Sequence, residues 1–567
     1  MHRFVMRHSY LVVGLIALIC LSSANGQTRK SRSRKGAEAE LPSQVKKINE
    51  LVKQTWDDYE MKPSKPAEDG IWCRRVFLDI LGRIPSYQEL DAFVKDRSKN
   101  KKAELISKLL FDDKYTEEYA RNWTTLWSNI LIGRAGGTER NSLTSREGMQ
   151  KYLRDTFARN KPYDKMVHEL VSATGTTTPG SPKFNGATNF LAMKVNEEKG
   201  SLATAATSKT FLGLQVQCTQ CHNHPFNDWK QQKYWEMNAF FRQTRALRRF
   251  TPGTRNVNGA ELVDQDFAGE DNEPQEARVF YELRNGETRM ALPKFVDGTE
   301  IGASGFVADV NRRAELAKMI VKSPYLDKTI VNRMWAHFFG YGFTKPIDDL
   351  GPHNQPSHPD LMDYLAIEFK KNSYNLKQLI TWITLSEAYS LSSVANASNR
   401  EDDPQLGESP KFTHFYLRQM RAEELYESLI VATQAGETRG NYEAQERAKS
   451  QWLQQFVSQF GTDEGDETTS FNGTIPQVLM MFNGGLVKQA IDSKNGGFLS
   501  KVINSKLNEK NKLDYLFKAA FGRSPTKNEV GVLLSREVIL AYKGNQVEMF
   551  SDIWWSMLNS NEFIFNH

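Results

Sequence analysis

Apolar residues recur at helical spacing along most of this chain of 567 residues, and this periodicity limits the possible folds more than any other feature. In the first such run, Ile48, Leu51, Val52 and Trp56 fall on one face of a helix. The same spacing fills residues 70–130, 146–172, 200–217, 228–245, 311–340, 359–390, 415–435, 442–460 and 511–567. The pattern predicts a mainly α-helical, multidomain protein, and a hydrophobic share of 39% is sufficient for more than one core.

One segment, residues 250–305, departs from the helical pattern. It is acidic from Asp264 to Glu276 and continues as a strand-like run from Ala277. The dipeptide Asn285-Gly286 separates this run from a second extended run, and Asn-Gly between two such runs is a strong hairpin signal. The segment is therefore predicted to form a small β-hairpin insert in the helical chain.

The first 26 residues have the pattern of a secretory signal peptide. Arg3 and Arg7 precede an apolar run from Leu11 to Leu21, and small residues lead to a cleavage position after Gly26. The run is too short to span a bilayer, and no other stretch approaches 18 consecutive apolar residues. We therefore expect an exported protein of the periplasm or cell surface, with no transmembrane helix beyond the signal peptide.

These patterns divide the chain into five parts. A basic flexible tether, 27–42, follows the signal peptide 1–26, and helical domains at 43–249 and 306–567 flank the insert 250–305. The formal net charge of +6 is small for this length and does not indicate binding to nucleic acid. No nucleophile elbow, phosphate-binding loop or dinucleotide-binding glycine motif occurs, so no catalytic residue is assigned.

A short motif occurs twice, once near each end of the mature chain. The two copies read Phe77-x4-Gly82-Arg83-x-Pro85-Ser86-x2-Glu89 and Phe517-x4-Gly522-Arg523-x-Pro525-Thr526-x2-Glu529. Each copy predicts a helix that ends at a glycine, a proline that prevents its continuation, and a capping box that opens the next helix. The repeat indicates two copies of one helical-hairpin unit.

The residues that most suggest chemistry are Cys218-Thr-Gln-Cys221-His222, followed by Asn-His224-Pro225-Phe226. Cys-x-x-Cys-His is the attachment signature of c-type haem, in which the thiols bond to the haem vinyl groups and the histidine ligates the iron. Export agrees with this interpretation, because covalent haem attachment is completed outside the bacterial cytoplasm. We therefore expect haem c on Cys218, Cys221 and His222, and electron transfer with a redox or envelope protein as partner.

Two other interpretations of the same residues remain open. Cys218, Cys221 and either His222 or His224 could hold zinc or iron with a further ligand from elsewhere, which would make this a non-haem metal-binding protein or a metal-dependent enzyme. In an oxidising compartment the two cysteines could instead form a disulfide, which would leave a structural or interaction protein. Cys73 lies in a helical pattern and is predicted to be a small buried apolar residue.

Further ligands could come from the helical regions. The candidates for a distal haem ligand are Met193, Met237, Met334 and His337. A polar cluster between Asn332 and Pro359 could form a metal or acid–base site from His337, Asp348, Asp349, His353 and His358. The alternative for this cluster is a helix N-cap at Ser357 or Asp360 surrounded by hydrogen-bonded polar turns.

At these residues the sequence resembles a large planctomycete family of secreted proteins of unknown function, which pair a cytochrome-c-like N-terminal domain with a planctomycete-specific C-terminal domain. The matching segments are Arg74-Arg75-Val-Phe-Leu-Asp79, Phe211-Leu-Gly213, Cys218-x-x-Cys221-His222-Asn-His224-Pro225-Phe226-x2-Trp229, Asn332-Arg333-x-Trp335-x-His337, Pro356-Ser357-His358-Pro359 and Leu558-Asn-Ser-Asn561-Glu562-Phe563-x-Phe565-x-His567. The resemblance implies that 43–249 is the cytochrome-c-like domain and 306–567 the planctomycete-specific one. It also implies functional or assembly roles for the 330–359 cluster and for His567. The family's cytochrome name rests on the same Cys-x-x-Cys-His residues.

Overall fold

The computed structural model describes residues 40–225, 229–434, 441–457 and 497–567. The predicted signal peptide and nearly all of the predicted tether lie outside these residues. Within the described part of the chain, no helix is long and apolar enough to cross a membrane.

Helices dominate the first half of the described chain, as the periodicity predicts. Their bounds are α1 Ser43–Asp58, α2 Asp69–Leu81, α3 Tyr87–Lys95, α4 Lys101–Phe111, α5 Asp113–Ile132, α6 Arg146–Ala158, α7 Tyr163–Ser172, α8 Ser201–Thr207 and α9 Gln231–Asn238. Helix α9 ends at Asn238, earlier than the helical pattern predicts, because the chain passes into a strand at Thr244.

Helices resume after the β insert. Their bounds are α10 Arg312–Lys322, α11 Pro324–Phe339, α12 Pro359–Lys371, α13 Leu376–Leu385, α14 Ala422–Thr433, α15 Tyr442–Val457, α16 Phe498–Ile503, α17 Glu509–Phe521, α18 Lys527–Leu533, α19 Arg536–Ala541, α20 Gln546–Leu558 and α21 Asn561–Ile564. The fold is mainly α-helical with small β inserts, which confirms the predicted class.

The strands of the described chain form three small antiparallel sheets. Their bounds are β1 Gly175–Thr176, β2 Thr244–Phe250, β3 Val257–Asp264, β4 Val279–Glu282, β5 Thr288–Ala291, β6 Arg418–Gln419 and β7 Phe565–Asn566. The first sheet has the order β1-β3-β2. Strands β4 and β5 pair from Val279 opposite Ala291 to Glu282 opposite Thr288, which confirms the hairpin predicted around Asn285-Gly286. Strand β6 pairs with β7, near the C-terminal end of the chain.

Both copies of the repeated motif have the predicted geometry. Gly82 and Gly522 follow α2 and α17 in the left-handed conformation, with φ of 73° and 77°. Ser86 and Thr526 then open α3 and α18 as the first residues of capping boxes. In each copy the arginine after the glycine binds the glutamate of the box through both of its Nη atoms.

Helix α2 contributes to two hydrophobic cores. The larger core draws on residues 45–416 and includes Trp72 of α2. The second draws mainly on residues 420–563 but includes Leu78, which also belongs to α2. Glu40–His567 accordingly form one compact unit.

Candidate functional site

The Cys-x-x-Cys-His motif lies in a loop between α8 and α9, here termed the Cys loop (residues 214–225). The chain enters this loop at Gly213, whose backbone is in the left-handed conformation with φ of 62°. A side chain at Gly213 would collide with Thr329 Oγ1 and with Leu350. Glycine is therefore required where the Cys loop approaches the second half of the molecule.

Both cysteines of the motif lie at the surface of the Cys loop. Cys218 belongs to the 3-10 turn Gln217–Gln220 and Cys221 follows it, and both are exposed free thiols. Partial burial raises the pKa of Cys218, and the carboxylate of Asp349 acts in the same direction. By contrast, Cys73 is fully buried in α2, as predicted.

The histidine adjacent to Cys221 has a defined ring orientation. His222 Nδ1 lies 2.6 Å from the carbonyl oxygen of Asn223. A carbonyl only accepts, so this bond requires the proton on Nδ1 and leaves Nε2 as the nitrogen through which the ring would ligate a metal.

Side chains of α9 hold the Cys loop in place. Gln231 Nε2 and Trp235 Nε1 both donate to the carbonyl of Gln220, each at 3.1 Å. The backbone N–H of Gln231 also donates to Asn223 Oδ1 at 3.0 Å. These bonds fix the backbone on both sides of Cys221 while its thiol stays exposed.

A second loop, residues 346–353, lies against the Cys loop and is here termed the Asp349 loop. Its Leu350 N–H donates to the carbonyl of Gly213 at 2.7 Å. In the opposite direction, Gln215 Nε2 of the Cys loop donates to Asp348 Oδ1 of the Asp349 loop at 2.7 Å. The two loops are therefore joined by both backbone and side-chain hydrogen bonds.

Two imidazoles meet where these loops face each other. The ring centroids of His224 and His353 lie 5.5 Å apart. His353 Nε2 in turn lies 2.9 Å from Asp349 Oδ2. Partial burial lowers the pKa of His224, and the neighbouring His353 adds to that effect. The thiols and imidazoles of the motif thus lie beside a histidine and a carboxylate from a distant part of the sequence.

The structure places Met334 and His358 in the core and leaves His337 half-buried on α11, and it brings none of the three to the Cys loop. Met334 is buried in α11. His337 Nε2 lies 3.0 Å from the carbonyl oxygen of Asp79, and burial lowers the pKa of His337 to about 3. His358 packs against Phe412, and burial lowers its pKa to about 4. Both histidines are neutral at physiological pH.

Met237 and Met193, the other two methionines predicted as candidate distal ligands, lie outside the Cys loop. Met237 is buried on α9 within the larger core. Met193 is exposed, and its sulfur accepts a hydrogen bond from the Leu143 N–H at 3.3 Å.

The start of α12 differs from the cap expected at Ser357 or Asp360. His358 occupies the N-cap position without a side-chain cap bond, and Pro359 is the first helical residue. Proline has no N–H to satisfy at that position, which reduces the need for a side-chain cap. Ser357 Oγ instead lies 2.9 Å from His358 Nδ1.

By sequence spacing alone, Asp349 and His353 belong to the same polar cluster as His337 and His358. The residues on either side of each histidine distinguish a buried histidine from an accessible one. His337 follows Trp335 and precedes Phe338 in an apolar helical run, whereas His353 lies in a turn-rich segment after Gly351-Pro352. A histidine in a turn is more often accessible to a ligand than one within an apolar helix.

The geometry of the Cys loop can be compared with what haem attachment and a metal ion each require. Thioether formation needs two accessible thiols, and proximal ligation needs a histidine with one uncommitted ring nitrogen. Cys218, Cys221 and His222 meet both requirements. Among the residues that the structure describes, no group of three His, Cys, Asp or Glu side chains is placed to hold a metal ion.

Comparison with protein families gives two matches. Residues 47–246 match the PSCyt2 model, described as a protein of unknown function (DUF1549). Residues 312–536 match the PSD1 model, described as a protein of unknown function (DUF1553). The Cys loop lies in the first match and the Asp349 loop in the second. No curated protein and no solved structure matches the chain.

Proposed function

The chain belongs to the family that pairs a DUF1549 domain with a DUF1553 domain, both of unknown function, and we propose that it is an exported electron-transfer protein with covalently bound haem. Cys218 and Cys221 are the residues that would form the thioether bonds, and His222 is the one that would ligate the iron. Haem supplies a one-electron redox centre when it is bound.

The observation that carries this proposal is the accessibility of both thiols within one turn of chain. Cys218 and Cys221 are exposed and unpaired, although they are close in sequence and belong to a backbone that α9 holds in place. The hydrogen bond from His222 Nδ1 to the Asn223 carbonyl fixes the ring tautomer, as hydrogen bonds to the second nitrogen of metal-ligating histidines commonly do.

The Asp349 loop gives the second family domain a role in this site. It supplies the carboxylate of Asp349 and the imidazole of His353 beside the motif. Charge and hydrogen bonding around a redox centre adjust its potential, so the second domain is suited to tune the centre that the first domain binds.

Expression with the native signal peptide in a bacterial host that matures c-type cytochromes tests the proposal. We expect a c-type pyridine haemochrome band and an intact mass increased by one haem. Both signals should be lost in the double variant Cys218→Ala/Cys221→Ala. Cys73→Ala is the matched control, because it removes a thiol outside the motif and should leave haem attachment unchanged.

Wild-type protein that folds in this host but carries no haem would contradict the proposal. A mass lower by two hydrogens than that of the reduced chain would then assign the two cysteines to a disulfide.

A non-haem metal site is the second candidate function, and the pair of imidazoles at the loop interface favours it. Two imidazoles that bind one ion through nitrogens at about 2.1 Å place their ring centroids roughly 5 to 6 Å apart. His224 and His353 already have a centroid separation of 5.5 Å. Movement of the exposed thiols toward this pair would complete a zinc-like ligand set.

Zinc titration of haem-free protein against a chromophoric chelator tests the second candidate. His224→Ala and His353→Ala should each weaken zinc binding at least tenfold. His168→Ala, on α7 and outside both loops, is the control and should retain wild-type affinity. Equal zinc affinity in all four proteins would exclude a site at the loop interface.

A further inference from the structure

A cleft of about 380 Å³ opens between strand β2 and the segment that precedes α8. Its lining includes Asn196, Lys199, Arg242, Arg245 and Ala246, and we term it the Arg242 cleft. None of these residues belongs to the Cys loop or the Asp349 loop. The volume is within the range of small-molecule binding sites and far exceeds that of one water molecule.

Positive charge predominates in the Arg242 cleft. Lys199 Nζ and Arg242 Nη2 share one carboxylate oxygen, Glu270 Oε1, at 3.0 Å and 2.9 Å. The other oxygen of Glu270 accepts the backbone N–H of Phe280 at 2.8 Å. Arg245 Nη1 donates to the backbone carbonyls of Arg242 and Thr244, which carry no charge to balance it. Among the described residues, one carboxylate, that of Glu270, forms the ion pairs of these three cationic side chains, and it binds two of them.

One nitrogen of Arg242 has an unmet hydrogen-bonding requirement. The residue is 7% exposed, and its Nη1 is buried without a hydrogen-bond partner in the part of the chain that the structure describes. An unsatisfied donor on a buried cation is costly, so native structures supply an acceptor for such groups. An anion in the cleft would balance the excess positive charge of this guanidinium and its neighbours.

The backbone that carries Lys199 is held in a rare conformation. Glu198 and Lys199 both have positive φ, at 42° and 59°. Asn238 Nδ2 donates to the carbonyl of Lys199 at 3.2 Å and so fixes this turn. The turn keeps the Lys199 ammonium beside Arg242 and Glu270.

We propose that the Arg242 cleft binds a small molecule or ion with sulfate, phosphate or carboxylate oxygens. Lys199, Arg242 and Arg245, which line the cleft, would supply the positive charge that attracts the ligand oxygens. The proposal does not depend on haem or metal binding at the Cys loop.

Isothermal titration with sodium sulfate, at ionic strength held constant with sodium chloride, tests the proposal. We expect saturable binding by the wild-type protein and at least tenfold weaker binding by Arg242→Gln. Lys199→Gln should also weaken binding, and it keeps the test valid if the buried Arg242 variant fails to fold, because Lys199 is exposed. Parallel titrations with sodium phosphate and sodium acetate show which oxyanion the cleft prefers.

Two further variants distinguish specific binding in the Arg242 cleft from non-specific attraction of anions to the protein. Glu270→Gln removes the carboxylate that competes for Lys199 and Arg242, so it should tighten sulfate binding severalfold. Arg248→Gln removes an exposed charge from the same strand outside the cleft and should bind like the wild type. Absence of saturable binding to any of the three anions, or equal weakening by Arg248→Gln and Lys199→Gln, would overturn the proposal.

Discussion

Burial of individual histidines makes the stability of this protein sensitive to acid. His358 is 4% exposed, and burial lowers its pKa to about 4, against an ordinary value near 6.5. Between these two pH values the unfolded chain binds a proton at this site and the folded chain does not, so stability decreases as pH falls from about 6.5 to about 4. The contribution of this one site is roughly 3 kcal/mol at pH 4.

We therefore expect His358→Phe to lose less unfolding free energy than the wild type between pH 7 and pH 4, as measured by urea denaturation. Phe343→Leu is the control, because Phe343 packs against His358 but does not titrate. The control should be less stable at every pH and should keep the wild-type slope. Parallel pH profiles for His358→Phe and the wild type would show that His358 does not bind its proton preferentially in the unfolded chain.

At the scale of single elements, the best-predicted parts are those whose signals are local in sequence. The repeated Gly-Arg-x-Pro motif specifies a C-terminal glycine and a capping box within a few residues, and both copies form as predicted. Strand β1 is different, because its two residues pair with β3 more than 80 residues later. No residue pattern near Gly175 predicts that pairing, because it depends on how the helices between the two strands pack.

The capping boxes give a matched pair of stability measurements. Thr526 Oγ1 accepts the Glu529 N–H at 3.2 Å, so Thr526→Ala should lower the unfolding free energy by about 1 kcal/mol. Ser86→Ala should lower the unfolding free energy by at least as much. Ser86 is less exposed than Thr526, and its hydroxyl also donates to Glu89 at 2.9 Å. Thr526→Ser keeps the cap and should behave like the wild type in urea denaturation. A Thr526→Ser loss as large as that of Thr526→Ala would show that the hydroxyl cap is not the source of the effect.

At the scale of the whole molecule, the sequence predicts the candidate site only in part. The Cys-x-x-Cys-His residues can be recognised in the sequence by their spacing, because the chemistry they could support requires them to be close together in the chain. Their neighbours Asp349 and His353 lie about 130 residues later and reach the Cys loop through the packing at Gly213 and Leu350. Long-range packing also places His358 in the core and leaves His337 half-buried on α11 against Trp123.

Buried charges connect the two family domains into one folding unit. Asp79, from the first domain, is fully buried and bonded to the Arg418 guanidinium from the second. It also accepts the Tyr389 hydroxyl at 2.5 Å and Asn566 Nδ2 at 2.8 Å. Replacing one member of a buried ion pair leaves the other charge uncompensated, which costs about 3–5 kcal/mol.

We therefore expect Asp79→Asn to lower the unfolding free energy of the full chain by about 3–5 kcal/mol. Because Asp79 belongs to the first domain and binds Arg418 and Tyr389 of the second, tryptophan fluorescence and far-UV circular dichroism should still report one coincident transition in urea. Asp113→Asn, at an exposed position on α5, is the control and should change stability by less than about 0.5 kcal/mol. Two separate transitions in the wild type, with only the first shifted by Asp79→Asn, would mean that the domains unfold independently and that the buried charges do not couple them.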